Sequence, residues 1–281
     1  MMRALNHVSL ALMVIFSLGL ISCGPSGPQA AKPGTPPFLW NAAQEAFQKG
    51  NFSVASDQLD RLTGKDGEFR DRAEVLQTIL SIGRAHGQME WADIFEDGSK
   101  FARTRYLDFR RTSSSARSTA NQMVMRAAEI QNKSMDRLKN ADLLLAVTLP
   151  TLNSDLPVEA ERVKKGVALQ DSEQAVALVR MQQRGVMKTV AQFVAGGDIA
   201  KARELMAKGD YKIPKDTFFT ALAREFTDLT ELYGSKKLDQ TGRIEMLCGE
   251  AEKALALAQA SADTKAVQKK LDAVKKKLPK H

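Results

Sequence analysis

The stretch from Ser115 to Val147 contains neither proline nor glycine, and small or apolar residues recur in it every three or four positions. These residues are Ala116, Ala120, Met123, Ala127, Ile130, Leu138, Ala141 and Leu145. This spacing places them on one side of an α-helix. A helix of this length would extend over about 50 Å. The stretch therefore predicts a long helix with one narrow apolar stripe.

A second long run reaches to about Ala195, after a segment in which Pro150 and Pro157 flank a polar turn. An antiparallel pair of long helices is the simplest arrangement of the two runs. Gly166 and Gly185 are expected to weaken or break the second helix. Three more helices are predicted after it, at roughly 215–233, 237–258 and 262–278.

Good helix formers such as Ala, Leu, Lys and Glu dominate the whole chain, and Val or Ile seldom alternates with polar residues. We therefore predict an all-α fold. Its second part, residues 111–281, would hold the long helical hairpin and the C-terminal helices.

The N-terminus begins with a cation, Arg3, and an apolar run from Val8 to Ile21 that is too short to span a membrane. The sequence Leu20-Ile21-Ser22-Cys23 resembles the lipobox of bacterial lipoproteins. The resemblance implies that residues 1–22 are a signal peptide and that Cys23 becomes an acylated first residue. A plain secretory signal with a chance cysteine is the alternative.

The resemblance also implies a subcellular location. Such lipoproteins are held in the cell envelope, and Gly24 in place of an aspartate after the cysteine favours the outer membrane, facing the periplasm. Residues 23–37 are rich in Pro, Gly and Ala and are expected to form an extended tether.

Residues 38–110 contain glycine turns followed by alanines at a fixed spacing. Gly50-Asn51-Phe52 is followed by Ala55, and Gly87-Gln88-Met89 is followed by Ala92. This pattern, with a weaker copy at Gly197-Asp198-Ile199, resembles degenerate tetratricopeptide repeats. The resemblance implies stacked helical hairpins. The spacing differs from that of the family and the closing proline is missing, so unrelated helical hairpins remain the alternative.

Repeats of this kind form a concave surface that binds peptides. The resemblance therefore predicts a partner-binding face on the first helices of the two hairpins. Its residues would be Trp40, Gln44, Phe47, Leu76, Leu80 and Arg84. The alternative is that the apolar members of this set belong to the core.

Two basic stretches stand out in a chain of formal net charge +8. The first contains Arg103, Arg105, Arg110 and Arg111, interleaved with Phe101, Tyr106 and Phe109, and the second contains Lys275, Lys276 and Lys277. Contact with an anionic surface, an acidic partner and a solvated helix face are the three interpretations. Export disfavours nucleic acid as the partner. At helical spacing, Phe101 and Phe109 would share a buried face with Arg105 between them.

Catalytic chemistry has little support in the sequence. His86 is the only histidine between the signal and the last residue, and no group of His, Cys, Asp and Glu has metal-binding spacing. Cys248 is expected to be buried and free. We therefore predict no cofactor, no metal and no enzymatic activity.

The predicted function is a lipid-anchored scaffold that binds a protein or peptide partner in envelope assembly, transport or maintenance. A structural tether to cell-wall polymer and an envelope enzyme remain the alternatives.

Overall fold

The computed structural model describes residues 31–279, and within this range the protein is all-α, as predicted. Its ten α-helices are α1 (Pro36–Gln48), α2 (Phe52–Asp60), α3 (Arg70–Ser99), α4 (Tyr106–Leu138), α5 (Val158–Lys164), α6 (Asp171–Ala195), α7 (Ile199–Leu205), α8 (Lys215–Leu229), α9 (Thr241–Leu255) and α10 (Ala262–Lys275). Short 3₁₀ helices cover Arg103–Arg105 and Thr230–Tyr233. Two antiparallel strands, β1 (Leu144–Leu145) and β2 (Tyr211–Lys212), complete the described part.

The central element is α3, which packs along α4 on one side and along α6 on the other. Its buried residues lie on all sides of the helix rather than on one stripe, which is typical of a helix enclosed by its neighbours. One core surrounds its first two thirds, and a smaller aromatic cluster of Trp91, Phe95 and Phe109 surrounds its end. The ring centroids of Phe95 and Phe109 are 5.1 Å apart.

The first predicted hairpin is present as α1 and α2. Gly50 at its turn has φ +70°, a conformation that glycine adopts without strain. The next residue, Asn51, caps α2 by accepting a hydrogen bond from the Val54 amide at 3.4 Å. A similar turn separates α6 from α7, where Gly196 has φ +63° and Asp198 caps α7. Both turns were readable from the sequence because they depend on local residues.

The second predicted turn, at Gly87-Gln88-Met89, was wrong. These residues lie in the middle of α3, which continues for a further ten residues after Met89. Gly87 serves a different purpose, because a Cβ atom there would lie 2.5 Å from the carbonyl oxygen of Met181 on α6. The glycine therefore allows two helices to cross closely rather than allowing the chain to turn.

The predicted long hairpin was also assigned to the wrong pair of helices. The stretch from Ser115 lies in α4, but this helix begins at Tyr106 and ends at Leu138. Its partner is α3, while the second long run forms α5 and α6, and α6 packs on the other side of α3. Gly166 breaks this run with φ +84°, whereas Gly185 lies inside α6.

The chain after α4 is extended instead of helical. Leu143, Leu145, Val147 and Leu149 are buried while the residues between them are half-buried, so the burial has the period of two that is typical of a strand. β1 lies in this segment and pairs with β2, with Leu144 opposite Lys212. Leu143, Leu144 and Leu145 are all apolar, so the alternation appears in the burial and not in the residue types, and the apolar stripe of the helix runs into this segment.

Two predicted domain boundaries also differ from those in the structure. The boundary between residues 110 and 111 falls inside α4, and residues 32–281 form one compact unit. The tether was predicted to extend to residue 37, but α1 begins at Pro36. The predicted signal peptide and Cys23 lie outside the described residues. The three C-terminal helices are confirmed as α8 with its 3₁₀ extension, α9 and α10.

Candidate functional site

A cleft of about 680 Å³ lies between α3, α6 and the end of α8. Six carboxylates line it, together with three lysines and one histidine. The carboxylates are Glu90, Asp93, Asp97, Glu225, Asp228 and Glu231. The cations are Lys164, Lys188 and Lys237, and the histidine is His86. Carboxylates therefore outnumber cations among the lining residues, in a chain whose formal net charge is +8.

The spacing of the residues along two helices explains how they reach one cleft. On α3, the polar residues are His86, Glu90, Asp93 and Asp97, separated by four, three and four positions. On α8 and its 3₁₀ extension, Glu225, Asp228 and Glu231 are separated by three positions each. Residues three or four apart share one face of a helix. Each helix therefore presents one polar edge to the cleft.

The closest contact across the cleft joins His86 and Glu225. Nε2 of His86 lies 2.6 Å from Oε2 of Glu225. The Glu225 side chain is buried, with 8% of it exposed, and that of His86 is 29% exposed. Burial lowers the pKa of His86, but the negative charges of Glu225, Asp228 and Glu231 together outweigh it, so this pKa is raised. The imidazole therefore keeps its proton to a higher pH than a free histidine does.

Two further carboxylates of α3 are held by ion pairs. Glu90 accepts a hydrogen bond from Nε of Arg184 at 3.0 Å. Asp93 lies between two cations, 3.2 Å from Nη2 of Arg117 and 3.0 Å from Nζ of Lys237. These pairs fix the wall of the cleft that α3 forms.

One carboxylate and two cations of the cleft are open to a ligand. Glu231 is exposed and has no ion-pair partner among residues 31–279, and the same is true of Lys164 and Lys188. Asp228 is half-buried and pairs with Lys270 at 2.7 Å. Glu231 and Asp228 form an acidic edge, and Lys188 of α6 supplies a cation to the same cleft. Met89, Ile94 and Leu156 add apolar surface to its lining.

The residues of the predicted partner-binding surface lie outside the cleft, and most of them are buried. Trp40, Phe47, Leu76 and Leu80 are core residues with 4% or less of their area exposed, so the prediction was wrong for them. The side-chain amide of Gln44 donates to the carbonyl oxygen of Ala146. Nη2 of Arg84 donates to Oγ of Ser53 at 3.3 Å. These faces are covered because α1, α2 and the segment after α4 close over α3.

The predicted basic residues are all exposed, as an anionic-surface contact requires. These are Arg103, Arg105, Arg110 and Arg111, and Lys275, Lys276 and Lys277. The expected shared face of Phe101 and Phe109 was wrong. Phe109 is 2% exposed and Phe101 is 66% exposed, because Phe101 precedes the 3₁₀ turn and α4 only begins at Tyr106.

Cys248 is buried on α9, as predicted, and burial raises the pKa of its thiol. It lies outside the cleft, so it does not form a pair with His86.

In the part of the chain that the structure describes, no group of three or more His, Cys, Asp and Glu residues is arranged to hold a metal ion. Nor does any helix within residues 31–279 combine the length and apolar character that crossing a membrane requires.

The sequence-based predictions did not include the cleft, because its residues come from helices that are distant from each other along the chain. The spacing of His86, Glu90, Asp93 and Asp97 was the signal in the sequence that could have indicated one polar helix edge.

Comparisons of the chain with known protein families, with curated proteins and with solved structures found no match.

Proposed function

We propose that this protein is a lipid-anchored component of the bacterial cell envelope that binds a positively charged segment of a protein or peptide partner. The observation that supports binding is the acidic cleft beside His86. The lipobox-like sequence before Cys23 supports the anchor, which would hold the protein at the outer membrane, facing the periplasm.

The charge of the cleft supports a cationic partner. A local excess of carboxylates in a basic protein attracts positive groups to one place and repels them from the rest of the surface. Glu231 and Asp228 would receive a lysine or arginine side chain at the open edge, while Lys188 would accept a carboxylate or carbonyl of the same partner. The volume, about 680 Å³, lies in the usual range for small ligands or a few side chains.

We assign no catalysis to the protein. In this proposal His86 is a charged donor held by Glu225, and its proton serves binding rather than a reaction. Envelope assembly, transport or maintenance would be the process in which such a partner is bound.

The test is the affinity of the full-length protein for a fluorescent peptide rich in lysine and arginine, measured by anisotropy. The variant Asp228→Asn/Glu231→Gln removes two negative charges from the cleft and is expected to weaken binding about tenfold or more, since charged hydrogen bonds are each worth about 1.5–3 kcal/mol. The matched control, Glu68→Gln/Asp210→Asn, removes two exposed carboxylates that do not line the cleft and should bind like the wild type. Equal weakening by both variants would show that only net charge matters and would contradict the proposal.

A test in cells locates the natural partner. A photo-crosslinking amino acid at Lys188 is expected to give a defined protein adduct that disappears in Asp228→Asn/Glu231→Gln and in Cys23→Ser. The same amino acid at Lys208, which is exposed and does not line the cleft, should not give this adduct. An adduct that persists in the cleft variant would contradict the assignment of the site.

A tether to anionic cell-wall polymer is a second candidate. Lys276 and Lys277 are exposed and have no ion-pair partner among the described residues, which favours it. Binding to purified wall material that is lost in Lys276→Gln/Lys277→Gln and retained in Asp228→Asn/Glu231→Gln would support the tether instead of the cleft.

A further inference from the structure

The connection between α3 and α4, together with the first turn of α4, exposes several large apolar side chains. Phe101 is 66% exposed, Leu107 is 65% exposed and Tyr106 is 48% exposed. Val167, in the loop after α5, is 43% exposed. We call these four residues the apolar tip.

The two loops of the apolar tip lie against each other. Gly166 has φ +84°, and a Cβ atom there would lie 2.8 Å from Cβ of Phe101. The residue after it, Val167, is therefore a close neighbour of Phe101. Both loops converge where α3, α4 and α5 meet.

Backbone hydrogen bonds and buried aromatic contacts hold this exposed surface in place. The amide nitrogens of Phe101 and Ala102 both donate to the carbonyl oxygen of Gly98, at 2.9 and 3.0 Å. Beneath them, Phe109 packs against Phe95 in the smaller aromatic cluster. The backbone that carries the exposed Phe101 side chain is therefore an ordered turn.

Positive charge surrounds the apolar tip. Residues 100–111 contain five cations, Lys100, Arg103, Arg105, Arg110 and Arg111, and one carboxylate, Asp108. Three of the cations are paired, since Lys100 contacts Asp97, Arg105 contacts Asp108 and Arg110 contacts Glu96. Among the described residues, Arg103 and Arg111 have no ion-pair partner, nor does Lys165 of the neighbouring loop. The tip therefore carries a surplus of positive charge.

We propose that the apolar tip docks on the surface of an anionic phospholipid bilayer, with Phe101 and Leu107 inserted among the lipids and the unpaired cations contacting phosphate groups. Apolar side chains on one side and cations around them are the combination that binds at a membrane interface. Tyr106 suits this position, because its ring is apolar and its hydroxyl is polar.

The size of the tip favours a lipid surface over a folded protein. A stable protein interface buries about 800 Å² on each partner, with well-packed apolar residues at its centre. Four partly exposed side chains provide less than that. Each juxtamembrane cation contributes about 1 kcal/mol on an anionic membrane, so a few cations and two inserted side chains are sufficient there.

This inference is independent of what the cleft binds. A lipid at Cys23 would keep the chain near a bilayer without setting its orientation. Docking of the tip would supply a second contact and would decide which face of the protein points away from the membrane.

The test uses the full-length protein reconstituted on vesicles, with an environment-sensitive fluorescent amino acid at Thr104, an exposed residue between Phe101 and Leu107. Vesicle lipids carrying a doxyl group quench a fluorophore that touches the bilayer. We expect strong quenching on vesicles with phosphatidylglycerol, and at least about threefold less on phosphatidylcholine alone or in high salt, which screens charge. A fluorophore at Ser53 on α2 should be quenched weakly on every vesicle, because Ser53 lies beside Arg84, about 25 Å along α3 from the tip.

Two double variants test the mechanism. Phe101→Ser/Leu107→Ser should reduce quenching at position 104 to the level at position 53, without lowering the melting temperature, since both side chains are exposed. The matched control is Val54→Ser/Leu205→Ser, which replaces exposed apolar residues of α2 and α7 and should leave quenching unchanged. Quenching that is the same with and without anionic lipid, or that survives Phe101→Ser/Leu107→Ser, would overturn the proposal.

Discussion

Gly185 of α6 packs so closely against Gly83 of α3 that a Cβ atom on Gly185 would overlap the carbonyl oxygen of Gly83. The same is true in the other direction, because a Cβ atom on Gly83 would lie 2.5 Å from Cα of Val186. The two helices therefore touch backbone to backbone. This crossing brings Lys188 and Thr189 of α6 to the cleft that His86 lines.

Replacing Gly185 with alanine should destabilise the fold. The added methyl group has to displace the backbone of α3, and overpacking of this kind costs about 1–3 kcal/mol or more. The control is Gly249→Ala on α9, where nothing lies within 4 Å of the new Cβ atom. The better helix propensity of alanine should make that variant neutral or more stable by about 0.5–1 kcal/mol. Chemical denaturation measures both, and equal stability of the two variants would contradict the close crossing.

The His86–Glu225 pair should make stability depend on pH. The pKa of His86 is raised in the folded protein above its ordinary value of about 6.5. Its contribution is then fully present below that value and is lost as the pH rises through the folded pKa. The free energy of unfolding should therefore exceed that of His86→Gln by more at pH 5.5 than at pH 9. The difference is expected to be on the order of 1 kcal/mol.

Nuclear magnetic resonance titration provides the check on this assignment. The pKa of His86 should fall in Glu225→Gln, because the negative charge that stabilises the imidazolium is removed. A pKa that does not change in this variant would show that the hydrogen bond is absent in solution.

Truncation of Leu80 should show that it belongs to the core and not to a binding surface. Leu80 is fully buried in α3, and Leu→Ala changes at such sites cost about 2–5 kcal/mol. Val54→Ala on α2 is the control, because Val54 is 41% exposed and should lose less than about 1 kcal/mol. If Leu80→Ala left the melting temperature unchanged, the burial of α3 under α1 and α2 would be incorrect.

Cys248 should react slowly with thiol reagents in the folded protein. Its side chain is 2% exposed, and burial raises the pKa of the thiol, so little thiolate is present at neutral pH. Modification identified at Cys248 by peptide mass spectrometry should be about tenfold slower, or more, in buffer than in concentrated urea. Similar rates in the two conditions would mean that the thiol of Cys248 is not buried in the core.

Local signals in the sequence predicted most of the helices and two of their turns correctly. Gly50 with Asn51, and Gly196 with Asp198, end one helix and begin the next through their own backbone and side-chain geometry. The three C-terminal helices were predicted for the same reason. Helix periodicity and capping depend on residues within about one turn, so neighbours along the chain are sufficient to determine them.

The cleft and the apolar tip could not be predicted in this way. His86 and Glu225 are separated by 139 positions and meet only because α8 packs beside the crossing of α3 and α6. Phe101 looked like a buried aromatic residue at helical spacing, and it is exposed because the chain makes a 3₁₀ turn before α4 begins.

The sequence by itself determined that this chain is helical, where most of its helices lie and that the chain turns at Gly50 and at Gly196-Gly197. Only the tertiary structure decided which helices are partners and what the remaining glycines do. Gly87 and Gly185 have the same local signature as turn or breaking glycines, and they are helical because each faces the backbone of another helix. That choice depends on contacts between distant residues, whose packing energy outweighs the local cost of a glycine inside a helix.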